Sequence, residues 1–330
     1  MAPGPAAELR VAVAPEVASA KPPTGWGPVI EVRDVHKAYG AVRAVDGVSF
    51  EVGAGEIFGL LGPNGAGKTT TMEMLEGLHP PDSGSLRIMG LDVARQAAAI
   101  KQRIGVQLQT AALFPQLTVE ELLGLFSSFF RRQASIPELL RAFDLEEKRG
   151  ARSKNLSGGQ RQRLSVALAL VNDPEVVFLD EPTTGLDPAA RRGLWDLIVG
   201  LKAQGRTVLL TTHYLEEAEA ICDRVAIMDH GRILDLGTSD ELIGRRFKER
   251  AIQFDAVAGL DDRALERLPN VTKVTHEDSS VLVYTSRVPE TIAALLDAAS
   301  TLGQEPDNLL VRRPTLEDVF LDLTGRALRD

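Results

Sequence analysis

Cysteine occurs once in the 330 residues, at Cys222. One thiol cannot close an internal disulfide, and thiolate-rich metal sites are excluded. Basic charge is also short. Against 46 Asp and Glu stand 37 Lys and Arg, a formal net charge of −9. Duplex binding normally needs a basic face, so the balance argues against nucleic acid as the main ligand. No apolar run approaches the ~20 residues that cross a bilayer as a helix. The stretch 1–28 is rich in Ala and Pro, and it lacks the basic start and unbroken apolar core of a signal peptide. A flexible tail is expected there. Short-period repeats are missing too. Any membrane role would be exercised from the surface, through a partner.

What is present is a globular composition, 44% hydrophobic and 25% charged, in a chain long enough for two domains. Short strands are predicted over Val29–Val32 and Val48–Val52. A compact apolar strand, Glu56–Leu61, runs into Gly62-Pro63-Asn64-Gly65-Ala66-Gly67-Lys68-Thr69-Thr70 and then a helix beginning near Thr71. Val176–Leu179 ends in Asp180-Glu181, and Thr207–Thr212 ends in His213. Helical patterns at Val119–Phe130 and Gln160–Val171 lie between. Buried strands alternating with helices predict an α/β fold around a largely parallel sheet. The pattern changes after about Gly244. From there to the end, a β-α-β-β-α-β order suggests a small α+β domain of ferredoxin-like type over 245–330.

Gly62–Thr69 fits G-x-x-x-x-G-K-[ST] in full. The glycines let backbone N–H groups turn inward around phosphate oxygens, and the helix that follows points its positive end at them. Lys68 supplies a mobile cation for the β and γ groups, and Thr69 a hydroxyl for Mg²⁺. Ligands of open α/β sheets bind outside the carboxyl ends of the parallel strands. If the three apolar strands are neighbours, Asp180, Glu181 and His213 meet the loop at one edge. Asp180 then serves the Mg²⁺ shell. Glu181 orients or deprotonates the attacking water. His213 contacts the γ-phosphate or that water. Two adjacent carboxylates beside a triphosphate imply a cation between them. His36, His79, His230 and His276 lack such a context and are expected at the surface.

Leu156-Ser157-Gly158-Gly159-Gln160 opens another helical run. Ser157 suits an N-cap, and the glycines leave N–H groups exposed for a second anion. These five residues are identical to the signature of ATP-binding cassette (ABC) ATPases, and the motif order from Val29 to Leu242 resembles that family throughout. The resemblance implies a P-loop NTPase fold: a RecA-like parallel core with antiparallel β and helical subdomains, the ATP-binding domain spanning 29–244 and its helical part about 110–172. Tyr39 resembles the aromatic that stacks on adenine. Gln109 resembles the Q-loop glutamine that reaches Mg²⁺, with Gln107 as the alternative. Thr184–Asp187 resembles the D-loop and His213 the switch histidine. In the family two cassettes pack head to tail, so that the signature of one closes over the ATP held by the other. The resemblance therefore implies a second copy of the chain and a separate integral membrane permease as partners, at the cytoplasmic face of the membrane, with a groove for the permease near 110–130.

Arg313–Gly325 resembles the tail of ATPase subunits from drug and antibiotic exporters. Thr315 can cap a helix whose Leu316, Val319, Phe320 and Leu323 form an apolar face, expected to pack on the small domain or on a second copy. An exporter ATPase is the first expectation. The alternative is a non-transport ABC ATPase acting on a soluble macromolecule, which usually carries two cassettes or long coiled coils that this chain lacks.

Overall fold

The computed structural model describes residues 27–108, 113–277 and 280–326. Gln109 and nearly all of the expected tail lie outside them. The chain opens with an antiparallel hairpin, β1 (Ile30–Tyr39) and β2 (Val42–Val52). Next, β3 (Ile57–Leu61) passes through the glycine loop into α1 (Lys68–Leu75). With β4 (Ser83–Ile88) and β5 (Leu91–Asp92), the hairpin forms a sheet of order β2-β1-β4-β5. Helix α2 (Val93–Lys101) leads to β6 (Ile104–Gln107). A helical region of α3 (Val119–Ser127), α4 (Ile136–Ala142) and α5 (Gly158–Leu168) precedes β7 (Val176–Asp180). Then come α6 (Pro188–Ala203), β8 (Thr207–Thr212), α7 (Leu215–Ile221) and the hairpin β9 (Arg224–Asp229) and β10 (Arg232–Gly237).

The central sheet has the order β10-β9-β3-β8-β7-β6 and is parallel except for β10. Every residue of β3, β7 and β8 is buried, because both faces are covered. Phe58, Leu60, Phe178 and Leu209 face the core shared with the first sheet. Their neighbours Ile57, Val177, Val208 and Leu210 face the core that holds Leu122, Leu164 and Leu194 of α3, α5 and α6. The period of two along each strand thus serves two cores at once.

Beyond α8 (Ser239–Arg246) lies a third sheet. It is built from β11 (Arg250–Asp255), α9 (Asp262–Glu266), β12 (Val271–Glu277), β13 (Ser280–Thr285), α10 (Val288–Thr301) and β14 (Leu310–Arg312). Its strand order is β12-β13-β11-β14, all antiparallel, with Leu265, Leu295 and Ala299 packed on one face.

The last helix, α11 (Leu316–Thr324), departs from expectation. Its Leu316, Val319 and Phe320 pack with Leu61, Ala218, Val225, Ile227 and Leu242, which belong to the ATP-binding part. Those side chains are an apolar wall that α7 and α8 leave open, and α11 closes it. Arg246 Nη1 to Asp322 Oδ2 at 3.0 Å and a bond from Leu316 N to the Glu219 carboxylate pin it there.

Candidate active site

Strands β3, β8 and β7 are hydrogen-bonded neighbours. Leu61 pairs with Thr212 and Asp180 with Thr211, so the three strand ends lie level. The glycine loop, His213 and Asp180-Glu181 therefore emerge on one edge, as the parallel topology requires.

The loop is wedged in place. A Cβ on Gly62 would come within 2.2 Å of the Met228 carbonyl oxygen, and one on Gly67 within 2.3 Å of that of Ala44. Gly67 also has φ 99°, which side chains other than glycine rarely adopt. Gly231 N donates to Ala66 O at 3.0 Å, so β9–β10 buttresses the loop from behind. Gly67 itself is the N-cap of α1, which starts at Lys68 rather than near Thr71 because the loop supplies the turn. The cap has no side-chain bond and the first turn no acidic residue. The first N–H groups of the helix are thus offered to an anion.

Lys68 is buried. Its Nζ donates to the carbonyls of Gly62 at 2.7 Å and Pro63 at 3.1 Å, and lies 3.6 Å from Glu181 Oε1. Burial pushes its pKa down, and Glu181 and Asp180 oppose that. Asp180 accepts from Thr69 Oγ1 at 3.3 Å and from the Thr211 hydroxyl. Burial raises its pKa, against the Thr211 hydrogen bond. Successive residues of a strand point to opposite faces, which would separate Asp180 from Glu181. Glu181 instead takes φ 46°, a strained conformation for a non-glycine residue. Its backbone N donates to Thr211 Oγ1 at 2.9 Å, and its Oε2 accepts from Thr184 Oγ1 at 3.3 Å and lies 3.3 Å from His213 Nδ1. One carboxylate thus reaches both the loop lysine and the histidine.

Ser157 to Gln160 lie elsewhere. Ser157 Oγ accepts from Gln160 N at 3.2 Å, and Gln160 Oε1 from Ser157 N at 3.0 Å, a reciprocal cap on α5. Together with Asp187 they line an open cavity of about 520 Å³ that includes no residue of the phosphate loop and neither Glu181 nor His213. Asp187 accepts from Ala189 N and Ala190 N at 3.0 and 2.9 Å, capping α6. Tyr39 ends β1 and is 48% exposed, with the Lys37 ammonium 5.6 Å from its ring centroid. Gln107 is buried at the end of β6, its Nε2 donating to Leu108 O at 2.8 Å and Asp180 O at 3.4 Å.

Sequence reasoning missed three residues around the site. Thr211 braces both acidic residues, and the doubled threonine before His213 was its only signal. Glu76, at the end of α1, is buried with neither carboxylate oxygen hydrogen-bonded, and burial, Asp180 and Glu73 push its pKa up to about 8. Glu217 on α7 is fully buried. A glutamate inside an apolar helical pattern marks each of these two.

The matching family model, ABC transporter, covers residues 45–184. A Nod factor export ATP-binding protein I from Ralstonia nicotianae is 42% identical over 317 residues, 94% of this chain and 98% of the relative. The chain belongs to the ABC transporter family. Daunorubicin resistance ATP-binding protein DrrA3 of Streptomyces coeruleorubidus is 41% identical, over 90% of this chain and 96% of that protein. A bacterial ABC transporter cassette solved as a dimer aligns with a TM-score of 0.57 at 26% identity, over 63% of this chain and 98% of that one. The chain is accordingly an ABC transporter ATPase that binds and hydrolyses ATP.

Proposed function

We propose that this ABC ATPase powers an exporter by closing, as a head-to-tail dimer, over two ATP molecules. One observation carries the dimer. The signature and Asp187 share an open cavity that none of the chain's own phosphate-binding residues line. A half-site with exposed N–H groups and no triphosphate cradle beside it fits the nucleotide of another copy. The relatives' names support export, and a drug-like or lipid-like compound is the proposed cargo.

Gly62–Thr70 cradle the triphosphate, Lys68 leaving the loop carbonyls to pair with the β and γ groups. Tyr39 stacks on adenine. Thr69 Oγ1 and the Asp180 carboxylate would hold Mg²⁺, with Gln109 as a further ligand. Among the described residues no three His, Cys, Asp or Glu side chains gather as a metal cage, which fits an ion that takes few protein oxygens and the rest from phosphates and water. Bound there, Mg²⁺ would supply positive charge to offset that of the triphosphate. Glu181 takes the proton of the attacking water, and His213, hinged on Glu181, donates to the γ-phosphate. Loss of that phosphate removes what both subunits grip, and the dimer opens.

No helix among the described residues is long and apolar enough to cross a membrane. The subunit works at the cytoplasmic face, through a separate permease. Phe114 and Phe129, 52% and 65% exposed in the helical region, offer that partner apolar surface. The β-α-β-β-α-β unit, whose strand order 2-3-1-4 suits a ferredoxin-like domain, is an accessory to this cycle.

The deciding experiment uses Glu181→Gln. Turnover is expected to fall ~10²–10⁴-fold with ATP affinity retained, and light scattering is expected to show a dimer in excess Mg-ATP. A monomer under those conditions refutes the shared site.

A further inference from the structure

The chemistry above leaves Glu217 without a task, although it is fully buried and lies on α7, the helix that follows His213. Burying a carboxylate costs several kcal/mol, and an apolar side chain of similar volume would pack there at lower cost. Its neighbours give the reason for its presence. Trp195 Nε1 on α6 donates to Glu217 Oε1 at 2.9 Å. Burial pushes the Glu217 pKa up, and Thr212, Thr183, Trp195 and the Arg191 charge oppose that. Neither Glu217 Oε2 nor Thr183 Oγ1 has a hydrogen-bond partner, so the indole bond carries the tie.

Each neighbour belongs to a different functional segment. Trp195 lies on the helix that Asp187 caps. Thr183 lies two residues past Glu181. Thr212 immediately precedes His213. A second tie runs in parallel, because the Arg191 guanidinium stands 4.1 Å from the centroid of the Tyr214 ring, which stands 4.2 Å from that of His213. Arg191 is one turn beyond Asp187, bonded to its carbonyl at 2.9 Å.

Resting on the roles given above to Glu181, His213 and Asp187, we propose that Glu217 is a positioning residue for hydrolysis. Its indole bond ties the Asp187 helix to the helix that follows His213. Docking of a second subunit at Asp187 is thereby transmitted to the groups that face the γ-phosphate. Glu217 acts through Trp195.

Three variants of the full chain test this: Glu217→Leu, Glu217→Gln and Trp195→Phe. Leucine removes the acceptor, glutamine keeps an oxygen for the indole, and phenylalanine removes only the donor. A misplacement of ~1 Å can slow an enzyme ~100-fold. Glu217→Leu and Trp195→Phe are expected to lower kcat by up to about that factor. The KM for Mg-ATP and the melting temperature are expected to hold or, for leucine, the latter to rise. Glu217→Gln is expected to restore most of the turnover. Wild-type kcat in Glu217→Leu overturns the proposal, as does a joint loss of kcat, ATP affinity and thermal stability in all three. His213→Ala, measured alongside, separates the two levels. If it keeps wild-type turnover, the role of His213 itself fails. If it is slow while Glu217→Leu is not, only the positioning role fails.

Discussion

The phosphate loop and the signature segment both lead into a helix N-terminus, but they are finished to different degrees. Around the loop, Lys68, Thr69, Asp180, Glu181, Thr211 and His213 are mutually bonded and mostly buried. The backbone there is strained at Glu181, a cost that the surrounding bonds sustain. At the signature, the Ser157 and Gln160 side chains bond back to each other's backbone N–H groups, and the surface around them is open. In the proposed cycle a monomer binds nucleotide through the first region, and turnover waits on a second copy bringing the second.

Ser157→Asp probes that division most sharply. Aspartate is as good an N-cap as serine, so the fold should persist. A carboxylate facing the partner's triphosphate costs several kcal/mol of like-charge repulsion, and a steady-state assay should show turnover down ~100-fold or more. Equilibrium binding of ATP to dilute protein should be unchanged. If binding falls as well, the two regions are not separate.

Lys68→Ala acts on the other side of the comparison. Charge-assisted hydrogen bonds contribute ~1.5–3 kcal/mol, so ATP affinity should drop ~10–100-fold in calorimetry. Unchanged affinity would remove Lys68 from the cradle. Tyr39→Ala should cost ~0.5–1.5 kcal/mol of affinity, and it should weaken ATP more than inorganic triphosphate, which has no base to stack.

Glu76→Gln gives the smallest effect, and one that depends on pH. The folded carboxyl keeps its proton up to about 8, whereas its ordinary value is 4.5. The folded state therefore binds the extra proton between those values, and its stability falls as pH rises through that window. Glutamine removes the penalty. The melting temperature of the variant should exceed wild type at pH 8, at ~2–4 °C per kcal/mol, and match it near pH 4.5. An equal shift at both pH values would refute the burial account.

The parallel core was legible because its strands are unbroken apolar runs that end in chemistry. Residues 57–61, 176–180 and 207–212 show no alternation, since both faces are covered. The first hairpin was predicted much shorter than it is. Polar Arg33 and Asp34 interrupt β1 at a bulge where Asp34 takes φ 46°, and a strand interrupted in this way reads as ended. The loop stood out by its spacing, and Asp180, Glu181 and His213 by following apolar strands that the sheet sets side by side. Thr211, Glu76 and Glu217 were not, because their meaning lies in what surrounds them in space. The destination of α11 was also hidden. Its apolar stripe is plain in the sequence, but the wall it covers is assembled from Leu61, Ala218 and Val225, distant along the chain.

That homecoming of α11 constrains how the molecule can be cut. The accessory sheet is not a tail hung on the end of the ATPase but a loop-out, anchored where α8 departs and again where α11 docks. A premature stop before Leu316 would strip away one side of the ATPase's own interior. Excising 250–312 and rejoining the flanks would remove the sheet and leave that interior clad. Chimaeras that exchange accessory sheets between relatives should take their junctions on both sides of it, and carry the final helix with its native ATPase.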